Sequence, residues 1–473
     1  MLFKKIFNRV AIITVATLFI LSCSKEQVPD VPAVLSNENS IISLRFETSV
    51  NPGLATTSSA FFNGQTVYVT VPRGTSLSSL KAYVEISPKA KIKVNGAAFT
   101  SNSTAIDFTN TATVAVVSES GIEKSYKVLV QGGIAALDNM IYSFMKKYSI
   151  PGTSYAISKN EQIVYSSGIG FAITESEQRA VPTNLFRLAS CSKQFTAFCI
   201  LKLMENGSLS LDQKVFGTGG ILGTEFPNVS AKAAEVTVKH LLSHTSGWTS
   251  DPDPMFTSSF AGQTLDQRIT YMLTSAQSTP GTSFSYYNMG FGVLGKIIEK
   301  VSGKEFEVYL KEQLALAGIT DVHVGGTLAQ RRSNEVVYYS QSGTNGYGNE
   351  MQVIKAAGGV IASAPEMLKL AHQLDGYSYV PDIISAQTRN LMINPPFPST
   401  YSRYGLGWRI NHSYYPNAIY HAGNLAGTAT QWVVGENLNL VVLCNSRSYI
   451  STFDDEMYGL LKDIRSLAAT ISW

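Results

Sequence analysis

The sequence predicts a multi-domain chain, with an N-terminal all-β sandwich followed by a larger domain that mixes helices and strands. Three observations carry this. At 473 residues the chain is too long for one ordinary hydrophobic core. Between residues 38 and 131, short β-type segments follow one another with Gly, Pro, Asn and Ser between them. From residue 134 onward, amphipathic helical stretches alternate with strand-like runs.

The N-terminus reads as a targeting segment. Lys4, Lys5 and Arg9 precede an apolar run, Val10 to Leu21, that is too short to span a bilayer comfortably. The run ends in Ile20-Leu21-Ser22-Cys23, which looks like a bacterial lipobox. That resemblance implies a signal peptide over 1–22, lipid on Cys23 and a polar, Pro-containing tether over 23–37. The mature chain would then be exported and held to a membrane by its lipid, in the periplasm or at the cell surface. The plainer alternative is a secretory signal with an incidental cysteine. Net charge is +3 with no basic block, which argues against a nucleic-acid partner.

In the first domain, strands are expected at 41–46, 66–71, 81–86, 90–94, 112–117 and 126–130, with tight turns at Asn63-Gly64 and Asn95-Gly96. About seven strands in under a hundred residues suggest an Ig-like sandwich. The segment resembles the small modules that follow the lipid anchor in many exported lipoproteins. Such modules act as spacers or as platforms that contact glycan or protein. No catalytic constellation falls here, and Lys91 and Lys93 read as a solvated face. The domain boundary is placed at Gly132-Gly133.

The second domain, 134–473, opens with an amphipathic helix to Tyr148 and a hairpin, 153–158 with 162–168. Ser190 and Lys193 follow, three apart, near the start of a helix that runs to about Glu205. That spacing puts both on one helical face, where a lysine of lowered pKa can take the proton of a serine hydroxyl. The pair is weak evidence alone, since Ser22–Lys25 and Ser78–Lys81 share its spacing. Tyr286 and Asn288 stand two apart after the Pro280-Gly281 turn, just ahead of a helix expected over 291–300. A phenol depressed by a nearby lysine can act as general base, and the amide can hold lysine and substrate together. His421-Ala422-Gly423-Asn424 precedes strand-like runs at 430–435 and 439–445, and Gly423 would let a substrate lie close to an edge strand. His240 and His244 are spaced for a metal, but the zinc-protease glutamate is missing, and His244 reads as structural. Cys191, Cys199 and Cys444 are expected as buried free thiols; two helical turns, roughly 12 Å, separate the first two. No metal and no cofactor is expected.

Taken in order, Ser190–Lys193, Tyr286–Asn288 and His421–Gly423 resemble the Ser-x-x-Lys, Tyr-x-Asn and Lys/His-x-Gly motifs of the serine β-lactamase-like hydrolases, the superfamily of class C β-lactamases, D-alanyl-D-alanine carboxypeptidases and related esterases. Leu241 to Gly247, Pro280-Gly281 and Gly358-Gly359 match the flanking text. The resemblance implies an antiparallel sheet built from both chain ends, flanked by helices, with a mostly helical lobe beside it and the site between. It implies Ser190 as acylated nucleophile, Lys193 and Tyr286 sharing proton transfer, and Asn288 positioning Lys193 and substrate. His421 would bind substrate or support Tyr286, and the N–H groups of Ser190 and Asn424 would form an oxyanion hole.

One departure bears on the substrate. Class C β-lactamases usually carry Lys where His421 stands, and a histidine is mostly neutral near pH 7. The expected activity is therefore acyl transfer on an ester or amide of a small molecule or peptide, including D-amino-acid peptides, with efficient β-lactam hydrolysis in doubt. A reading of another class is a surface binding lipoprotein with an inert hydrolase scaffold.

Overall fold

The computed structural model describes residues 34–249 and 252–473. Cys23, the signal segment and most of the tether lie outside the described residues. Among the described residues no helix is long and apolar enough to cross a membrane.

The first domain is a sandwich of two sheets. The six-stranded sheet runs, in spatial order, Phe61–Asn63, Thr66–Pro72, Glu123–Gly133, Ala112–Val117, Lys91–Val94, Ala97–Ala98. The four-stranded sheet runs Ser58–Ser59, Ile41–Phe46, Leu80–Ile86, Ala105–Ile106. Alternating apolar positions from both sheets meet in one core that includes Leu44, Phe46, Val69, Val114 and Val128. The Asn95-Gly96 turn closes its hairpin with φ values of 49° and 80°, the left-handed pair that a two-residue hairpin loop requires.

The second domain is built on a six-stranded antiparallel sheet drawn from both ends of the domain. Its order is Gln178–Arg179, Gln162–Ile173, Gly152–Lys159, Leu438–Cys444, Thr428–Val434, Ile419–Leu425. The helices Ala135–Tyr148 and Phe453–Thr470 cover one face, and Phe144, Tyr148 and Phe453 pack among themselves there. The other face meets a helical lobe whose core holds the helices Ser192–Glu205 and Asn288–Ser302. A small sheet, Phe186–Arg187 with Val360–Ala362 and His323–Val324, leads the chain into that lobe.

Gly132-Gly133 is not a loose linker. Both glycines continue the Glu123–Gly133 strand and pair with Val71 and Pro72, and a helix begins at Ala135. The reason is close packing: a Cβ on Gly133 would fall 2.5 Å from the Tyr165 hydroxyl and 2.7 Å from Asp138 Oδ2. Asp138 is fully buried and accepts four hydrogen bonds, from Tyr155 (2.6 Å), Tyr165 (2.9 Å), Thr70 (2.8 Å) and Gln131 (3.0 Å). Thr70 and Gln131 belong to the first sandwich, and both tyrosines to the second sheet, so one carboxylate joins the two domains. Burial raises the Asp138 pKa, while the four donors oppose that rise. Tyr68 and Tyr142 stack across the same seam at 4.7 Å.

Asp138→Ala leaves four buried donors without their acceptor. It is expected to lower unfolding free energy by at least about 3 kcal/mol. Guanidinium titration reads this directly, and a change under about 0.5 kcal/mol would remove the carboxylate from its place at the seam.

Candidate active site

Ser190 sits on a strained turn. The chain leaves the Phe186–Arg187 strand and passes through Ala189, whose φ of 48° lies in the left-handed region. It enters the short 3-10 turn Ala189–Cys191 and then the helix Ser192–Glu205. A non-glycine residue there costs of order 1 kcal/mol and persists only when its surroundings enforce it. The enforcement comes from the edge strand: a Cβ on Gly423 would lie 2.2 Å from Leu188 O and 2.9 Å from Ser190 N. Gly423 is thus the residue that lets the edge strand press against the Ser190 backbone. Thr430 adds a tie, its hydroxyl donating to Arg187 O at 3.1 Å.

Lys193 lies on a helix that is buried on nearly every side, and Lys193 itself is fully buried. Its Nζ lies 2.7 Å from Ala357 O, 2.8 Å from Asn288 Oδ1 and 3.2 Å from Ser190 Oγ. Burial drives its pKa down to about 7, so a large share of the amine is neutral near neutrality. A neutral amine has two N–H donors and one lone pair. Ala357 O and Asn288 Oδ1 can only accept, so they take the two donors. The lone pair is left facing the Ser190 hydroxyl.

Tyr286 shares a cavity of about 300 Å³ with Ser190, Arg409, His421 and Asn424. A larger cavity, about 730 Å³, lies at the domain seam around Gln131 and Arg179, away from Lys193. The sequence suggests a phenol depressed by lysine; the structure corrects this. Burial pushes the Tyr286 phenol up, and the Ser190 hydroxyl beside it opposes the rise only in part. Lys193 Nζ lies 5.0 Å from the centroid of the Tyr286 ring instead of bonding the hydroxyl. Tyr286 is therefore a neutral phenol in this arrangement, able to give a proton.

His421 lines the same cavity. Its ring is buried and both nitrogens are engaged, Nε2 by the Tyr404 hydroxyl at 3.1 Å and Nδ1 by Ala422 O at 2.7 Å. Tyr404 reaches in turn to His244 Nε2 at 3.2 Å, and His244 Nδ1 accepts the Tyr287 N–H at 3.1 Å. Only one arrangement of protons satisfies every member. His244 carries its proton on Nε2 and donates to Tyr404, Tyr404 donates to His421 Nε2, and His421 donates from Nδ1 to Ala422. Burial holds both histidines neutral, far below the ordinary imidazole pKa. His421 thus braces the site and offers no free cation. His240 makes a capping box with Thr237. Among the described residues no group of three or more His, Cys, Asp or Glu could hold a metal, and Cys191, Cys199 and Cys444 are free and buried.

The Beta-lactamase family matches residues 137–461, well over half of the chain. The chain belongs to the Beta-lactamase family. A second family, described as SGBP, N-terminal, matches residues 53–130. The chain is similar to Protein flp of Staphylococcus aureus, 25% identical over 327 residues, which are 66% of this chain and 63% of that protein. It therefore spans under two thirds of that relative's length. It is 28% identical over 338 residues to Penicillin-binding protein 4* of Bacillus subtilis, covering 65% of this chain and 71% of that one. In fold it resembles a Beta-lactamase/D-alanine carboxypeptidase from Yersinia pestis, with a TM-score of 0.56 at 20% identity, over 69% of this chain and 98% of that one.

Three residues of this Beta-lactamase-family domain escaped the sequence reading. Tyr404 and Asp253 carry no motif. Asp253 Oδ2 accepts the Asn288 amide N–H at 2.7 Å. Arg409 lines the cavity from a segment whose backbone bonds Tyr420, beside His421. Among the described residues no carboxylate forms an ion pair with Arg409, and tyrosines 404, 458, 286 and 420 surround it. It supplies the fixed positive charge that His421 does not.

The proton arrangement is open to test. Nitrogen-15 NMR is expected to show His244 as the Nε2–H tautomer and His421 as the Nδ1–H tautomer, neither titrating at the ordinary imidazole pKa. A His421 resonance that titrates near pH 6.5 would contradict it.

Proposed function

We propose that the second domain is a serine hydrolase that acylates Ser190 with an ester or amide substrate bearing a carboxylate, including peptides that end in a D-amino acid. The observation that carries this is the Lys193 amine, its two N–H groups held by obligate acceptors and its remaining direction on Ser190 Oγ at 3.2 Å. Lys193 takes the Ser190 proton as Oγ bonds the acyl carbon. The N–H groups of Ser190 and Asn424 receive the oxyanion, each worth about 3 kcal/mol of barrier in comparable sites. Tyr286, neutral, protonates the leaving group and is reprotonated from Lys193. Water then attacks the acyl carbon with Lys193 again as base, releasing the acid and Ser190. Asn288 holds Lys193, and His421 keeps the edge strand in register with the Ser190 turn. Arg409, without a carboxylate partner, supports a substrate that brings one. The carboxypeptidase and penicillin-binding names of the relatives point the same way.

The Ile20–Cys23 lipobox supports an exported protein tethered by lipid at Cys23, in the periplasm or at the cell surface. For the first domain we infer a rigid spacer or a platform for glycan or protein.

A fluorophosphonate probe is expected to label Ser190, located by peptide mass, and to leave Ser190→Ala unlabelled. Arg409→Ala is expected to raise KM for an N-acyl-D-Ala-D-Ala peptide at least about tenfold while sparing KM for an uncharged p-nitrophenyl ester. Equal labelling of Ser190→Ala would refute the nucleophile; equal KM for the peptide would refute the carboxylate site.

A further inference from the structure

An asparagine amide has two ends of similar shape and opposite hydrogen-bonding sense. If Asn288 turned over, its NH2 would face Lys193 and compete for the amine lone pair that points at Ser190. Something must hold it the productive way round. The group on its far side is Asp253, whose Oδ2 lies 2.7 Å from Asn288 Nδ2. A carboxylate only accepts, so it takes the NH2 end and turns Oδ1 toward Lys193, 2.8 Å away. Asp253 is itself held. Its Oδ1 accepts the Met255 N–H at 3.0 Å, and its carbonyl accepts Thr257 through both N–H and hydroxyl, at 2.9 and 2.7 Å. Among the described residues no Lys or Arg forms an ion pair with it, so its charge is not spent on a surface cation.

Resting on the Ser190–Lys193 reading above, we propose that Asp253 is a positioning residue: its carboxylate decides which end of the Asn288 amide faces Lys193 and thereby aims the lysine lone pair at Ser190. Asp253 touches neither Ser190 nor the cavity wall around it, and acts through Asn288.

Its charge has a second effect. The groups that influence Lys193 are Asp253, Arg409, Cys191, His244, His421 and the Tyr286 ring. Burial keeps the Cys191 thiol protonated and both imidazoles neutral, and Arg409 is a cation. Asp253 is the anion of the set, and it favours the protonated amine against burial. Removing the charge disfavours ammonium, so the pH at which the base becomes available falls.

The experiment is a pH profile of Ser190 phosphonylation by a fluorophosphonate, in which Oγ bonds phosphorus and fluoride leaves, in the full chain, for wild type, Asp253→Asn, Asp253→Ala, Asn288→Ala and the Asp253→Ala/Asn288→Ala pair. Asp253→Asn keeps the shape but no longer dictates the amide's direction. It is expected to slow plateau phosphonylation at least about tenfold and move the acidic limb down by at least about half a pH unit. Asp253→Ala is expected to slow phosphonylation in the wild-type background and add less than about twofold to Asn288→Ala. An unmoved acidic limb, or an equal loss in both backgrounds, overturns the proposal. If wild type is never phosphonylated, the Ser190 reading has failed, and exchange of the Asn288 side-chain N–H with water, followed by NMR, still decides this one. Exchange at least about tenfold faster in Asp253→Ala supports it, and unchanged exchange overturns it.

Discussion

The candidate site depends on burying one lysine amine without a salt bridge. Water would keep Lys193 an ammonium and useless as a base; removal from water makes the charged form expensive, and the pKa falls to about 7. Each neighbouring feature serves that condition. The Ser192–Glu205 helix is buried on almost every side, and Lys193 is fully buried with it. Ala357 O and Asn288 Oδ1 saturate two directions, leaving the third for Ser190. Asp253 is near enough to moderate the shift, and only through an amide.

The same economy of charge explains the two histidines. A cationic His421 would add a second positive charge beside Arg409 in a cavity of about 300 Å³. The Tyr287–His244–Tyr404–His421–Ala422 series satisfies both rings in their neutral forms, so none arises. Positive charge in the cavity is thereby concentrated in the Arg409 guanidinium, whose pKa leaves it charged at any working pH.

Much of this was legible in the sequence, for local reasons. Ser190 and Lys193 are three residues apart, on the 3-10 turn Ala189–Cys191 and the helix that follows it, so the sequence alone brings them near each other; the strained backbone that aims Ser190 comes from the edge strand. Phe291 to Lys300 falls inside the observed helix, which starts earlier, at Asn288, because that residue's side chain is held by Lys193 and Asp253. His421 and Gly423 lie on the edge strand Ile419–Leu425, as the Gly-containing motif suggested. What was not legible arrives from distant loops. Arg409, Tyr404 and Asp253 have ordinary neighbours in sequence and meet the site only through packing. The ionisation of Tyr286 was misjudged because burial, which a motif does not show, outweighs a nearby amine. In the first domain, strands of two residues such as Ala97–Ala98 and Ala105–Ile106 carry no periodicity to detect. Gly132-Gly133 reads in sequence only as the domain boundary; the pair continues a strand and admits Tyr165 and Asp138 to a packed seam, which two glycines in sequence do not show.

The claim on which all else rests is a neutral, buried amine at position 193 near pH 7. Nitrogen-15 NMR of the lysine side chains, with Lys193 assigned by Lys193→Met, measures its titration in the intact protein. The account predicts a single lysine that loses its proton near pH 7, well apart from the others. A Lys193 resonance that stays protonated beyond pH 9 would contradict it.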